Sequence, residues 1–218
     1  MDGNISEQQQ VEEIKKWLHE NGTSILAGLV IGVSAIFGWR AWDGHRHETA
    51  QQASAVYTQM VETYRAGKTD LAVQQGNDII AHYGKTNYAT FTALVLAGIN
   101  VEKGDTTAAI AHLKWAVGNA RQPELQQLAM LRLARLLFAE HKLDEAQKQA
   151  EAMDPTQYVA LRAELLGDLY RAKGDLAKAR SAYQQALQAL GKGTDGLHES
   201  IGMKLDAVGG APVAEQAS

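Results

Sequence analysis

The chain has no cysteine, only three prolines in 218 residues, and no strong excess of charge of either sign. Without cysteine there are no disulfides, no thiolate nucleophile and no zinc site of the cysteine type. With so few prolines, long stretches are free to be helical, and Pro123 and Pro155 both fall between predicted helices, where a missing backbone donor costs nothing. Lysine and arginine number 21 against 25 acidic residues, giving a net charge of −4 and a pI near 6.0. That balance, with no local basic cluster, excludes a nucleic-acid backbone as the natural partner. Catalytic patterns are missing too. The seven histidines are scattered, and neither an HExxH motif nor a glycine-rich phosphate loop occurs. The chain reads as a non-enzyme with no cofactor.

What is present is an apolar run. The 19 residues from Asn21 to Trp39 carry no charged side chain, in a chain that is otherwise 21% charged. At about 1.5 Å per residue a helix of that length covers about 28 Å, close to the hydrocarbon thickness of a bilayer. Trp17 precedes the run, Trp39 and Trp42 close it, and Lys15, Lys16 and Arg40 flank it, the arrangement of interfacial aromatics and snorkelling cations. A continuous helix would put Trp17 and Trp39 about 33 Å apart. A cleaved signal peptide fits less well, because residues 1–20 carry five acidic residues against two lysines and the run exceeds the usual apolar core of a signal. The expected organisation is a segment 1–20, a transmembrane anchor 21–42, a helical domain 43–208 and a disordered tail 209–218.

Within the anchor, Gly28 and Gly32 form a GxxxG, and Ser34 and Gly38 a second pair of small residues four apart. Such spacing places small residues on one face, where another helix can approach closely. Glycine is also common in membrane helices without that role. Basic residues before the span (Lys15, Lys16) and after it (Arg40, Arg46) tie, so the positive-inside rule leaves orientation open. Upstream, Ser6 to Gln9 has the pattern of a capping box, and Val11, Ile14, Trp17 and Leu18 share one face of a short amphipathic helix expected to end at Asn21-Gly22. His45, His47 and Glu48 are conceivable metal ligands, or simply a polar linker; three loose groups define no closed geometry.

Beyond Trp42 the sequence repeats. Residues 164–187, ELLGDLYRAKGDLAKARSAYQQAL, hold Leu166-Gly167, Tyr170, Gly174, Ala179, Tyr183 and Ala186 at the spacing of a tetratricopeptide repeat, with Ala163 and Gly191 replacing its usual Trp and Pro. Residues 96–116 keep Leu96-Ala97, Gly104, Ala109, Leu113 and Ala116; residues 133–153 keep Leu133-Ala134, Leu137, Ala146 and Ala150. An irregular first pair around Tyr57 to Tyr83 hinges at Gly67, and Leu197, Ile201, Met203, Leu205 and Val208 mark a closing amphipathic helix. The predicted fold is all-α: a single N-terminal transmembrane helix followed by a tetratricopeptide-like α-solenoid.

Solenoids of this kind bind along the face lined by the first helix of each pair. The repeat register assigns Phe91, Leu94 and Val101 to that groove in one unit, Leu128, Leu131, Arg135 and Phe138 in the next, and Leu161, Glu164, Asp168 and Arg171 in the last. The Lys and Asn clamp for a terminal carboxylate is absent, so the expected partner segment is apolar or extended. The competing reading has these side chains packing against neighbouring helices.

QQVEEIKKWLHENG leading into the glycine-rich span, GWRAW at 38–42, LRLAR at 131–135 and MKLD at 203–206 together resemble the YfgM-like ancillary subunits of the bacterial Sec translocon. The resemblance covers the chain up to about residue 208. It implies a single-pass inner-membrane protein, N-terminus cytoplasmic and repeat domain periplasmic. The implied partners are Sec translocon subunits and a membrane-anchored periplasmic chaperone of the prolyl-isomerase-like class (PpiD), with hand-over of translocated chains as the role. The residues themselves leave a second possibility open, a membrane-tethered scaffold for another envelope complex.

Overall fold

In the computed structural model, residues 7–191 and 193–209 are described, and every regular element among them is helical. The order is α1 Glu7–Arg65, α2 Thr69–Tyr83, α3 Asn87–Glu102, α4 Thr106–Asn119, α5 Pro123–Ala139, α6 Leu143–Glu151, α7 Val159–Ala172, α8 Leu176–Gln188 and α9 Asp195–Ala207. By compactness the chain divides into two units, residues 1–51 and 52–218. Most of the expected tail, from residue 210, and Ser6 of the capping box lie outside the described residues.

The first unit is helical from Glu7 onward, within α1. The expected helix end at Asn21-Gly22 is corrected: α1 continues through both. It bends instead, by 52° between Val11–Thr23 and Leu26–Arg65. The bend follows a run of poor helix formers, and the Asn21 side chain turns back to donate to the Trp17 carbonyl at 3.0 Å. Trp17 and Trp39 therefore stand on different arms of one helix, not at the ends of one straight rod. Among the described residues no single straight helix is long and apolar enough to cross a membrane, but the two arms of α1 together meet that length and composition. The residues 42 and 43, expected to flank a domain boundary, lie inside α1.

In the second unit, the end of α1 pairs with α2, then α3 with α4, α5 with α6 and α7 with α8, and α9 packs last. One turn is used four times. Gly67, Gly104, His141 and Gly174 all have left-handed backbone, with φ of 77°, 77°, 57° and 82°. At each, the following N–H reaches back five residues: Lys68 to the Thr63 carbonyl, Asp105 to Asn100, Lys142 to Leu137 and Asp175 to Tyr170. This is the Schellman closure, which satisfies the last carbonyls of the first helix and reverses the chain. Asp105 and Asp175 then cap the second helix, accepting from the N–H of Ala108 and Lys178.

The helices of a pair lie close because small residues stand where they cross. Ala109, Ala146 and Ala179, the equivalent alanines of three repeats, are fully buried. At Gly167 a Cβ would come within 2.5 Å of the Tyr183 ring. The core falls into three clusters: Met60, Ala72, Ile79, Leu96 and Ile99 at the start, a central group from α3 to α8, and Ala163, Ala179, Tyr183, Ala186, Ile201, Leu205 and Val208 at the end. Ile201, Leu205 and Val208 face inward from α9 as the sequence predicts, but Met203 does not; at 62% exposure it lies on the opposite face. Two ion pairs bridge successive units, Lys103 to Asp70 and Lys173 to Asp144, each at 2.6 Å. The lysine hydrogen bonds hold both aspartates below the usual carboxylate range, yet these exposed pairs orient more than they stabilise.

Two substitutions test this packing by their shift in denaturation midpoint. His141→Gly relieves a left-handed residue that carries a Cβ and stabilises the fold by about 1 kcal/mol. Gly167→Ala forces the Tyr183 ring aside and costs about 1–3 kcal/mol.

Candidate partner-binding face

The face built by the first helices of the pairs holds three kinds of side chain. Leu94 and Leu131 are core residues, 5% and 2% exposed, buried in the central cluster. They hold adjacent helices together, so the expectation that they line an open groove is corrected. Phe91, Leu128, Phe138 and Leu161 are half-buried, and Val101 is 47% exposed. Leu128, Phe138 and Leu161 rest on the central core.

Phe91 belongs to an aromatic group that the repeat register alone did not reveal. Tyr57 of α1 and Tyr88 of α3 lie 5.8 Å apart by ring centroids, Tyr57 and Phe91 6.3 Å, and Tyr88 and Phe91 6.1 Å. Their tilted and edge-on angles are those in which ring edges meet ring faces. All three are half-buried, and burial raises the Tyr57 pKa. Tyr57 precedes Phe91 by 34 residues, the period of the repeat, which is the signal that would have found it. Further along the same two helices the Tyr64 hydroxyl donates to Glu102.

The charged positions are engaged from within. Glu164 is buried, and its carboxylate accepts from Arg135 at 3.2 Å and from Lys204 of α9 at 2.7 Å. Asp168 accepts from Lys204 and from the Tyr183 hydroxyl, each at 2.7 Å. Arg171 remains exposed at the surface. Burial lowers the Lys204 pKa, but the hydrogen bonds and charges of Asp168 and Glu164 outweigh it and leave it raised. Burial, then the bond to Asp168, raises that of Tyr183. Lys204 was legible only as a polar residue in a closing helix; nothing in its local sequence announces two carboxylates 36 and 40 residues upstream.

In the first unit, Gly28, Gly32 and Gly38 have open space where a Cβ would stand, and Ser34 is exposed. At about 100° per residue the Gly28–Gly32 pair and the Ser34–Gly38 pair sit about 120° apart around the helix, so they form two faces and not one. His47 lies 3.4 Å from Asp43, and among the described residues no group of three histidine, aspartate or glutamate side chains is placed to hold a metal.

Tyr183 and Lys204 both keep their protons to higher pH in the fold than in the unfolded chain, where they titrate near 10 and about 10.4. Their contribution is therefore complete below about pH 10 and falls as pH rises through the folded values. Tyr183→Phe costs about 1.5–3 kcal/mol at pH 8, the range for a hydrogen bond to a charged group. The gap between variant and natural chain narrows in melts above pH 10.

A model of the tetratricopeptide repeat-like domain matches residues 15–210. Relatives that carry the name ancillary SecYEG translocon subunit include the following three. The Haemophilus influenzae protein is 33% identical over 187 residues, covering 85% of this chain and 90% of the relative. The Escherichia coli protein is 30% identical over 201 residues, 92% and 96% of the two chains. The Aggregatibacter actinomycetemcomitans protein is 33% identical over 187 residues, 86% and 91%. The helical repeats, the alanine crossings and this likeness along most of its length have one reading: the chain belongs to the family of ancillary SecYEG translocon subunits, built on a tetratricopeptide repeat-like domain.

Proposed function

We propose that this chain is a non-enzymatic protein-binding subunit of the Sec translocon, anchored in the bacterial inner membrane by residues 21–42. In this reading residues 1–20 are cytoplasmic, and the repeat domain, 43–208, works in the periplasm beside the channel exit. It links translocon subunits to a membrane-anchored chaperone of the prolyl-isomerase-like class (PpiD) and helps to hand over translocated proteins. The observation that carries the reading is the likeness, over most of both chains, to relatives named as ancillary subunits of SecYEG. The uncharged run 21–39 with its flanking tryptophans supports the anchor.

The mechanism needs no reaction. Tethering to the membrane raises the effective concentration of the repeat domain beside its partner to roughly millimolar, so each contact can be weak. The half-buried rings of Tyr57, Tyr88 and Phe91, and the exposed Val101 further along α3, are the parts of the first-helix face offered to an apolar partner segment. Leu94 and Leu131 act from the central core, where they hold the first helices in place.

Two measurements test this. Full-length protein purified from membranes in mild detergent is expected to carry translocon and PpiD-class subunits, identified by mass spectrometry. A version lacking residues 1–42 shows whether the anchor or the repeat domain holds them. Recovery of a different envelope complex, without the translocon, would move the function to the scaffold alternative. Separately, replacing Tyr57, Phe91 and Val101 together by Ser is expected to reduce partner recovery at least tenfold while the helical melt persists. Unchanged recovery with an intact fold would remove the aromatic end from the binding surface.

A further inference from the structure

Helix α9 packs through a small apolar cluster of its own. Its buried residues Ile201 and Leu205, with Val208 just after the helix, belong to a cluster with Ala163, Ala179, Tyr183 and Ala186 whose buried members are distinct from those of the central core, Tyr170 packing against both. Its connection to α8, residues 189–194, contains Gly191 and Gly193, the latter at φ +85°. So α9 can leave its place without opening the central core.

What it would leave behind is a specific seat. Along α7 and α8 lie Ala163, Tyr183 and Ala186, an apolar surface, and beside it the carboxylates of Glu164 and Asp168. Arg135 and the Tyr183 hydroxyl take one oxygen of each, and Lys204 takes the other two, at 2.7 Å. Withdrawing a cation from paired, largely buried carboxylates is costly. The seat therefore calls for a helix with apolar residues at the spacing of Ile201, Leu205 and Val208 and a cation at the register of Lys204. Every copy of this chain carries one.

We propose that α9 is exchangeable between copies: the seat on α7 and α8 accepts α9 of a second chain, whose Lys204 enters between Glu164 and Asp168. Reciprocal exchange joins two chains without any new surface, the usual route of a domain swap. The inference stands apart from the translocon reading, because it uses only contacts the chain makes with itself.

The test is to delete residues 189–194. The reversals closing the preceding helix pairs, at 66–68, 103–105, 140–142 and 173–175, each take three residues, so α9 fused directly to α8 cannot return to its own seat. The full chain in mild detergent is followed by light scattering. The deletion is expected to raise the dimer association constant at least tenfold over the natural chain, and Lys204→Glu added to it to abolish the gain. Because the chain has no cysteine, Leu205→Cys reports on the seat: unreactive towards a thiol reagent in the dimer, reactive in a monomer with α9 adrift. A deleted chain that keeps the oligomeric state of the natural one, or a dimer indifferent to Lys204→Glu, overturns the proposal. Should Leu169→Cys react and so reveal a disrupted core, a fluorescent peptide of residues 194–208 is titrated into the full-length Lys204→Gln chain instead. Saturable binding, weakened at least tenfold when the peptide itself carries Lys204→Gln, is expected; no binding, or binding equal for both peptides, overturns it.

Discussion

Everything in the repeat domain follows from how closely two antiparallel helices can be brought together. At α7 and α8 the limit is set by one missing methyl: any side chain at Gly167 would collide with the ring of Tyr183. Tyr183 can be fully buried there only because Gly167 makes room, and its hydroxyl then reaches Asp168, which in turn receives Lys204. The close crossing, the buried ring, the ion network and the docking of α9 are thus successive consequences of one steric permission. At the other crossings Ala109 and Ala146 serve the same end with a Cβ that fits.

The turn that returns each second helix to its partner was legible where it is written in glycine. Gly67, Gly104 and Gly174 are visible as reversals, and the alanines that follow them fix the register of the second helices. His141 hides the fourth turn, since nothing in a histidine predicts a left-handed backbone. It occupies the equivalent place all the same, 37 residues after Gly104 and 33 before Gly174. There the closing hydrogen bonds of the turn compensate for the wrong residue.

Side-chain roles on the first-helix face were less legible, and for a definite reason. Repeat register says which way a residue points, but not how near the next first helix lies. Leu94 and Leu131 point in the direction assigned to them and still meet protein, whereas Val101 on the same helix as Leu94 meets open space. Tyr57 was legible as the start of the irregular first pair but not as a neighbour of Phe91, because its repeat is the most degenerate, although it stands one period before Phe91. In the first unit the apolar run was plain, but the bend in α1 depends on the balance between weak helix formers and the Asn21 back-bond, a competition that composition does not resolve.

Charge is spent unevenly along the repeat domain. At the C-terminal end Glu164 and Asp168 are answered by Arg135, Lys204 and Tyr183, so a basic partner finds those acids occupied. At the N-terminal end Glu102 is taken by Tyr64 and Asp70 by Lys103, and the rings of Tyr57, Tyr88 and Phe91 are half-buried there. A segment docking at the other end must first displace α9, which leaves Asp168 with no cation and Glu164 with Arg135 alone. If the aromatic group binds a partner and α9 exchanges as proposed, the cost of that displacement favours the aromatic group for an apolar segment and the charged end for a helix that brings its own lysine.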